Sequence, residues 1–242
     1  MCAESRMEAT PRIAGLASCT CAGSAGAGSA GRHTGGVSLH CPATLYIARH
    51  GDAEYTHAHV MSDEGGWLTE TGQVQVTECA HDLADRRIAA VYSSPMQRAV
   101  ESGVLASSEL SVRHRELAGL EEIRVGERAG QPWSDPVTRE VYDAWFRGDL
   151  DARIPGGESG AEVVARFREA LATIADQHRG EQVLIFTHGG IMSLVVPRLA
   201  INVRDDLAYL QFVPNAVPAR VEAGDEDWRV ISWPGSASKD VV

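Results

Sequence analysis

The feature that most constrains this chain of 242 residues is a pair of matching junctions, at which a short apolar run passes directly into a His-Gly pair. Residues 45–48 lead into Arg49-His50-Gly51, and residues 183–186 lead into Thr187-His188-Gly189-Gly190. Short apolar runs with such boundaries are typical of buried strands. Open α/β sheets bind ligands where the carboxyl ends of their strands meet, so the junctions predict two histidines and an arginine in one anion pocket.

From residue 44 onward, short apolar runs alternate with amphipathic stretches. This order is typical of strands separated by helices in a largely parallel sheet. We predict strands at 44–48, 89–92, 111–114 and 182–186. Residues 208–233 resemble antiparallel strands at the sheet edge, with a turn at 225–227.

Four stretches carry helical signals, at 70–86, 95–107, 159–178 and from His188 to about 199. Thr69 is available to cap the first helix, and Pro95 suits the first turn of the second. On the first helix, Val74, Cys79 and Leu83 form the predicted inner face.

Two segments depart from this rhythm. The first segment is residues 1–40, in which 22–36 are nearly all Gly, Ala and Ser. This composition predicts a disordered arm, so the folded domain is expected over 41–235. Residues 124–157, here called the cap segment, hold three prolines and an aromatic cluster and are interpreted as an insertion lying over the site. The aromatics Tyr142, Trp145 and Phe146 are better explained by packing of one helix face.

Composition excludes several classes of protein. The net charge of −11 disfavours nucleic acid as the main partner, because a phosphate backbone needs a basic footprint. No apolar stretch approaches the roughly 20 residues that cross a bilayer, so no membrane partner is expected. The five cysteines form no disulfide framework, which favours reduced thiols and a cytoplasmic location.

The polar residues at the predicted strand ends suit hydrolysis of a phosphate monoester. This reaction needs a nucleophile in line with the leaving oxygen, donors around the phosphoryl oxygens and an acid for the departing alcohol. A neutral imidazole can attack phosphorus, arginines match phosphate geometry, and a helix N-terminus favours an anion. The candidates are His50 as nucleophile, Arg49, Arg98 and His188 as phosphate ligands, and Glu121 or Glu122 as acid.

Six ordered motifs over residues 44–199 resemble the histidine phosphatase superfamily, also called phosphoglycerate mutase-like. They are Arg49-His50-Gly51, Leu68-Thr69-Glu70-Thr71-Gly72-Gln73, Ser93-Ser94-Pro95-Met96-Gln97-Arg98-Ala99, Leu120-Glu121-Glu122, Pro155-Gly156-Gly157-Glu158-Ser159 and Thr187-His188-Gly189-Gly190.

The resemblance implies a three-layer α/β/α fold with a mostly parallel sheet and helices on both faces. It also implies His50 as the phosphorylated nucleophile and Glu122 as the acid. Arg49, Arg98 and His188 would form the phosphate pocket, with Gly189 at the helix start. Cofactors and metals are not expected. His57 and His59 could in principle bind a metal ion, but the sequence offers no identifiable third ligand.

The chain also departs from the family pattern. Many members carry Glu after the triplet and a phosphate-contacting Asn four places later, where this chain has Asp52 and Thr56. The hydroxyl of Thr56 can still donate to phosphate, but with a different reach.

Three functions stay open. The stretch 120–130 looks more like the phosphatase branch than the cofactor-dependent mutases, which favours a phosphomonoesterase acting on a small phosphorylated metabolite. A phosphoglycerate mutase-type transfer and a non-catalytic phosphate-binding module are the alternatives. The sequence does not identify the substrate. The arginines at 124, 128, 139 and 147 are expected on a solvated helix face, and the alternative is that they bind a second acidic group of the substrate. A homodimer is an open alternative to a monomer.

Overall fold

The computed structural model describes residues 41–55, 60–63, 65–209 and 211–235. Within these ranges the chain forms eight strands and five α-helices. The strands are β1 (Ala43–Arg49), β2 (Ala53–Glu54), β3 (Trp67–Leu68), β4 (Ile88–Ser93), β5 (Arg113–Glu116), β6 (Gln182–Thr187), β7 (Ala219–Ala223) and β8 (Trp228–Ser232). The helices are α1 (Glu70–Asp82), α2 (Gln97–Leu110), α3 (Pro136–Phe146), α4 (Gly160–Gln177) and α5 (Gly189–Leu199).

Six strands form one sheet in the order β5-β4-β6-β1-β7-β8. The first four run parallel, and β7 and β8 are antiparallel at the edge, as predicted for the tail. Arg49 is in register with Thr187 across β1 and β6. The residues after these two strands, His50 and His188, therefore emerge at the same edge of the sheet.

The central strands are apolar on both faces because helices cover each face, which is typical of parallel sheets. Leu45 and Ile47 of β1 point into a core formed with α4 and α5, including Phe167. Their neighbours Tyr46 and Ala48 point to the opposite core, which includes residues of α1 and α2. The predicted three-layer α/β/α fold is confirmed.

The inner face of α1 was predicted incorrectly at one position. Val74 is 57% exposed, whereas Val76 is fully buried with Cys79 and Ala80. Residues three and four apart share a helix face, so Cys79 and Leu83 are in phase with Val76 rather than with Val74.

Several predicted boundaries also shift. Helix α1 ends at Asp82 rather than at 86, because the chain continues as a 3₁₀ turn at Ala84–Arg86. Pro95 lies just before α2, whose N-cap is Met96, and the helix continues to Leu110. Strand β5 begins at Arg113 rather than at 111, because Ser111 ends α2 in the left-handed conformation, at φ 56°.

The cap segment contains α3, which begins at Pro136 behind the N-cap Asp135. Trp145 is fully buried and its indole N–H donates to the carbonyl of Ala152 at 2.7 Å, consistent with a packing role. Residues 60–61 lie beside this segment, since Val60 pairs with Pro132 and the Met61 N–H donates to Gln131. The predicted arm, residues 1–40, lies outside the described ranges. None of the helices in the described ranges is long and apolar enough to cross a membrane.

Candidate active site

His50 lies immediately after β1 and is 2% exposed. Its Nδ1 is 2.7 Å from the carbonyl oxygen of Gly51, which can only accept a hydrogen bond, so Nδ1 carries the proton. The Nε2 atom is then unprotonated, and its lone pair can accept a hydrogen bond. Arg98 Nε–H donates to this Nε2 at 3.1 Å, so the unprotonated nitrogen of His50 contacts the Arg98 guanidinium.

The surroundings of His50 keep its imidazole neutral. Burial lowers the pKa of His50 well below 6.5, and the charges of Arg98 and Arg49 lower it further. A neutral imidazole can attack phosphorus without first losing a proton.

The backbone around His50 is fixed by close packing of small residues. The Gly51 N–H donates to Ser102 Oγ at 3.1 Å, and Asn215 Nδ2 donates to the His50 carbonyl at 2.8 Å. A side chain at Gly51 would meet the Gly72 carbonyl oxygen at 2.6 Å. The Gly residues of the first two motifs therefore allow the start of α1 to approach the strand end.

Arg98 follows the first residue of α2 and is 3% exposed. Besides His50, its guanidinium binds the Gly65 carbonyl at 2.8 Å and lies 5.3 Å from the Tyr55 ring centroid. Burial lowers the pKa of Arg98, and the charges of Tyr55 and Glu122 oppose that change. The charge of Glu122 thus acts on the Arg98 guanidinium.

Arg49 is the last residue of β1 and directly precedes His50. Its Nη1 donates to the Val213 carbonyl at 3.2 Å, and its Cζ lies 4.9 Å from the centroid of Phe212. Gly189 approaches closely, because a Cβ there would lie 3.3 Å from Arg49 Cδ. The backbone at the start of α5 therefore borders this guanidinium.

His188 is the fully buried N-cap of α5, and its ring packs edge-on against His50 with centroids 5.3 Å apart. Its Nε2 is 2.9 Å from Ser94 Oγ. Its Nδ1 is buried and has no hydrogen-bond partner among the residues that the structure describes. An unpaired buried polar atom costs about 1–3 kcal/mol, so this nitrogen is suited to a ligand oxygen. Burial lowers the pKa of His188 well below 6.5, with Arg98 adding to the effect.

Glu122 reaches the N-terminus of α5. Its Oε2 accepts from the Gly190 N–H at 2.9 Å, and its Oε1 accepts from the N–H groups of Ile191 and Ile123 at 2.8 and 3.0 Å. A Cβ at Gly190 would lie 2.8 Å from Glu122 Oε1, so a side chain there would displace the carboxylate from this position. Glu121 instead accepts from the Gly119 N–H at 2.6 Å.

Sequence reasoning missed three residues that build this site. Asn215 and Val213, in a segment with no strong motif, bind His50 and Arg49 at the C-terminal end of β1. Arg166 of α4 binds the chain that carries Glu122. The predicted ligand Thr56 lies outside the described residues, as do His57 and His59. Within the described ranges, no group of three His, Cys, Asp or Glu side chains could hold a metal ion.

These side chains gather at the edge of the sheet where β1 and β6 end. Neutral His50 contacts Arg98 and packs against neutral His188, which has an unpaired ring nitrogen, and the Glu122 carboxylate binds the start of α5. Residues 45–234 match the family model described as histidine phosphatase superfamily, branch 1. The chain belongs to this superfamily.

Individual histidine phosphatase relatives extend the match. The chain is 30% identical over 195 residues to a metal-independent phosphoserine phosphatase of Arabidopsis thaliana, covering 78% of this chain and 80% of that protein. It is 27% identical over 197 residues to phosphoglycerate mutase-like protein 4 of the same plant, covering 79% and 84%. Among solved structures, mycobacterial glucosyl-3-phosphoglycerate phosphatase superposes with a TM-score of 0.67 at 24% identity, over 80% of this chain and 99% of that chain, which shows a shared fold.

The two buried histidines predict a loss of stability in mild acid. Their folded-state pKa values lie well below 6.5. Just below pH 6.5 the unfolded chain therefore binds more protons than the folded chain, and this difference favours unfolding. At about pH 5.5 each such histidine costs about 1.4 kcal/mol. We expect the free energy of unfolding in urea to be about 2–3 kcal/mol lower at about pH 5.5 than at about pH 7.5.

His114, whose pKa is also lowered by burial, acts in the same direction. His188→Asn removes one titrating group, so its pH dependence should be shallower than that of the wild type. Equal free energies of unfolding for the wild type at both pH values would contradict burial of neutral histidines.

Proposed function

We propose that this chain is a phosphomonoesterase that hydrolyses a small phosphorylated metabolite through a phosphohistidine on His50. The observation that carries the proposal is the unprotonated Nε2 of buried, neutral His50, which accepts a hydrogen bond from the Arg98 guanidinium. A phosphoryl group bound by Arg98 would present its phosphorus to this atom. Membership of a phosphatase superfamily and the phosphoserine phosphatase relative support the same reaction.

In the first half-reaction the Nε2 lone pair forms a bond to phosphorus while the bond from phosphorus to the ester oxygen breaks. Glu122 gives its proton to the departing alcohol oxygen. Arg49, Arg98, His188 and the Gly189 N–H bind the phosphoryl oxygens, and their fixed donors stabilise the charge that develops there.

In the second half-reaction water attacks the phosphorus of phosphohistidine. Glu122, now ionised, takes a proton from this water, and the bond between phosphorus and nitrogen breaks. Inorganic phosphate leaves and His50 returns to its neutral form. All bonds and protons balance with water as the only other reactant, so the proposed reaction needs no metal or cofactor.

We assign the cap segment (124–157) the role of covering the leaving-group side of this pocket. Asp63 accepts from the Val125 N–H at 2.8 Å, which ties the segment to the chain that leads to Gly65 and Arg98. Burial and, after it, the charge of Glu122 raise the pKa of Tyr142 in α3, which supports this role. Arg128 is committed to an ion pair with buried Asp135 at 2.6 Å, whereas Arg124, Arg139 and Arg147 are exposed.

The cytoplasmic location and the alternative of a homodimer stay predictions. Among the phosphorylated metabolites, O-phosphoserine is the first to test, because the phosphoserine phosphatase relative covers most of the chain.

The test is phosphate release from a panel of monoesters, including O-phosphoserine, 3-phosphoglycerate and p-nitrophenyl phosphate, with a chelator present. We expect release from at least one small metabolite. Absence of hydrolysis together with isomerisation of phosphoglycerate in the presence of a bisphosphate primer would establish the mutase alternative instead.

Vanadate binding separates an enzyme from a phosphate-binding module. A catalytic pocket is complementary to the transition state, so vanadate should compete with substrate at least about 100-fold more tightly than phosphate does. Equal, weak binding of the two anions, measured by calorimetry, would favour the module.

A further inference from the structure

Arg166 of α4 lies outside the anion pocket but contacts the chain that carries Glu122. Its Nη1 donates to the carbonyls of Gly119 and Glu121 at 3.0 and 2.8 Å, and its Nη2 donates to the carbonyl of Glu122 at 3.0 Å. Its Nε and Nη2 also donate to the two carboxylate oxygens of Glu158, at 2.7 and 2.8 Å. Each of the five N–H bonds of the guanidinium thus has an acceptor.

The three carbonyls converge on Arg166 because residues 119–122 curl around its side chain. Gly119 has φ +97°, and a Cβ there would lie 3.0 Å from the Arg166 carbonyl oxygen, so this turn packs directly on α4. From the other side, Thr187 Oγ donates to the Leu120 carbonyl at 2.7 Å. The backbone leading to Glu122 is therefore held between α4 and the end of β6.

Glu158 completes this arrangement from the Pro-Gly-Gly-Glu-Ser motif, whose role in the proposed reaction is otherwise unassigned. Its carboxylate accepts from the Arg124 N–H at 2.8 Å as well as from Arg166. Burial raises the pKa of Glu158, but the hydrogen bonds from Arg166 and Arg124 outweigh it, so the pKa lies below its usual value. One ionised carboxylate thus fixes Arg166 and the chain immediately after Glu122.

We propose that Arg166 and Glu158 are positioning residues that hold Glu122 where its carboxyl group meets the leaving oxygen. The hydrogen bonds of Arg166 go to the chain that carries Glu122 and to Glu158, whereas Arg166 acts on the phosphate ligand His188 only through its charge, as a minor cause of the lowered pKa of that histidine. We therefore expect the main effect of this pair on proton transfer rather than on phosphate binding. This inference depends on the proposed role of Glu122 as the proton donor.

The experiment compares two esters that need the donor to different degrees. p-Nitrophenyl phosphate has a good leaving group and needs little protonation, whereas an alkyl ester such as O-phosphoserine needs a proton. Arg166→Lys keeps the charge near Glu158 but loses the planar fork that binds three carbonyls. We expect kcat/KM for the alkyl ester to fall about 10- to 100-fold, with less than about a threefold change for p-nitrophenyl phosphate. Glu158→Gln should shift the ratio in the same direction by less.

Arg168→Lys is the matched control, because Arg168 is an exposed arginine on the same helix with no ion pair among the described residues. It should leave both esters within about twofold of the wild type. In the double variant Glu122→Gln, Arg166→Lys, the donor is already absent, so no further selective loss is expected beyond that of Glu122→Gln.

Equal losses on both esters, or no loss on either, would assign Arg166 a structural role and overturn the inference. Selective losses that multiply in the double variant would also overturn it, because Arg166 would then act independently of Glu122. If Glu122→Gln alone lost activity equally on both esters, the donor assignment itself would fail. A different outcome overturns only the positioning role. In that outcome Glu122→Gln loses activity selectively on the alkyl ester, whereas Arg166→Lys keeps wild-type activity on both esters.

Discussion

Replacing His50 with alanine is expected to lower kcat/KM for every phosphomonoester by about 10⁵-fold, equivalent to about 7 kcal/mol of transition-state stabilisation. The imidazole nitrogen forms the new bond to phosphorus in the proposed first half-reaction. Without it, water would have to attack the bound ester directly. Phosphate release with a chelator present, on the same ester panel, measures the effect.

The His50→Ala pocket should still bind phosphate, because Arg49, Arg98 and the unpaired Nδ1 of His188 remain. Phosphate affinity within about tenfold of the wild type would show that the variant is folded. His178→Gln is the control for loss of a buried histidine. His178 lies before β6, at the opposite end of that strand from His188, and bonds to Tyr92 at 3.0 Å. It should lose stability without losing kcat/KM, and substantial turnover by His50→Ala would contradict the nucleophile assignment.

Glu122→Gln is expected to reduce kcat/KM for alkyl phosphates by about 10²- to 10⁴-fold and for p-nitrophenyl phosphate by less than about tenfold. A carboxamide cannot give up a proton to the leaving oxygen. The substitution also alters the contact with α5, since the amide NH₂ would face the N–H of either Gly190 or Ile191. The ratio of the two esters is therefore the measurement, because any loss of folded protein affects both equally.

The ratio of the two esters also defines the result that would contradict the donor role of Glu122. Equal losses on the two esters would remove Glu122 from the role of donor.

The sequence predicted the parts of this molecule that follow from local patterning. The alternation of apolar runs with amphipathic stretches indicated the parallel strands and helices, because buried strands and helix faces impose different periods on the chain. The same pattern assigned the wrong valine to the buried face of α1. Val74 and Val76 are both apolar and lie on nearly opposite sides of the helix, and Val76 is the buried one. Boundaries at Pro95 and Ser111 shifted because caps and left-handed residues, rather than hydrophobicity, end these elements.

The candidate site was predictable where strand ends carry reactive side chains, as at His50 and His188. Arg166 gave no such signal, because its partners are mostly backbone carbonyls and its position in a periodic helix resembles a solvated one. Asn215 binds the backbone of His50 across 165 residues of chain, a contact that no local pattern contains. The orientation of Glu122 toward Gly190 and Ile191 likewise depends on tertiary packing.

The central claim is that a phosphoryl group passes through Nε2 of His50, and trapping that intermediate tests it most directly. Wild-type protein would be mixed with ³²P-labelled substrate, quenched in alkali within milliseconds and digested for mass spectrometry of the peptide that contains Arg49-His50-Gly51. The account predicts acid-labile, alkali-stable phosphate on His50 that disappears at the rate of turnover. Active enzyme with no phosphorylated His50, or with phosphate on another residue, would contradict it.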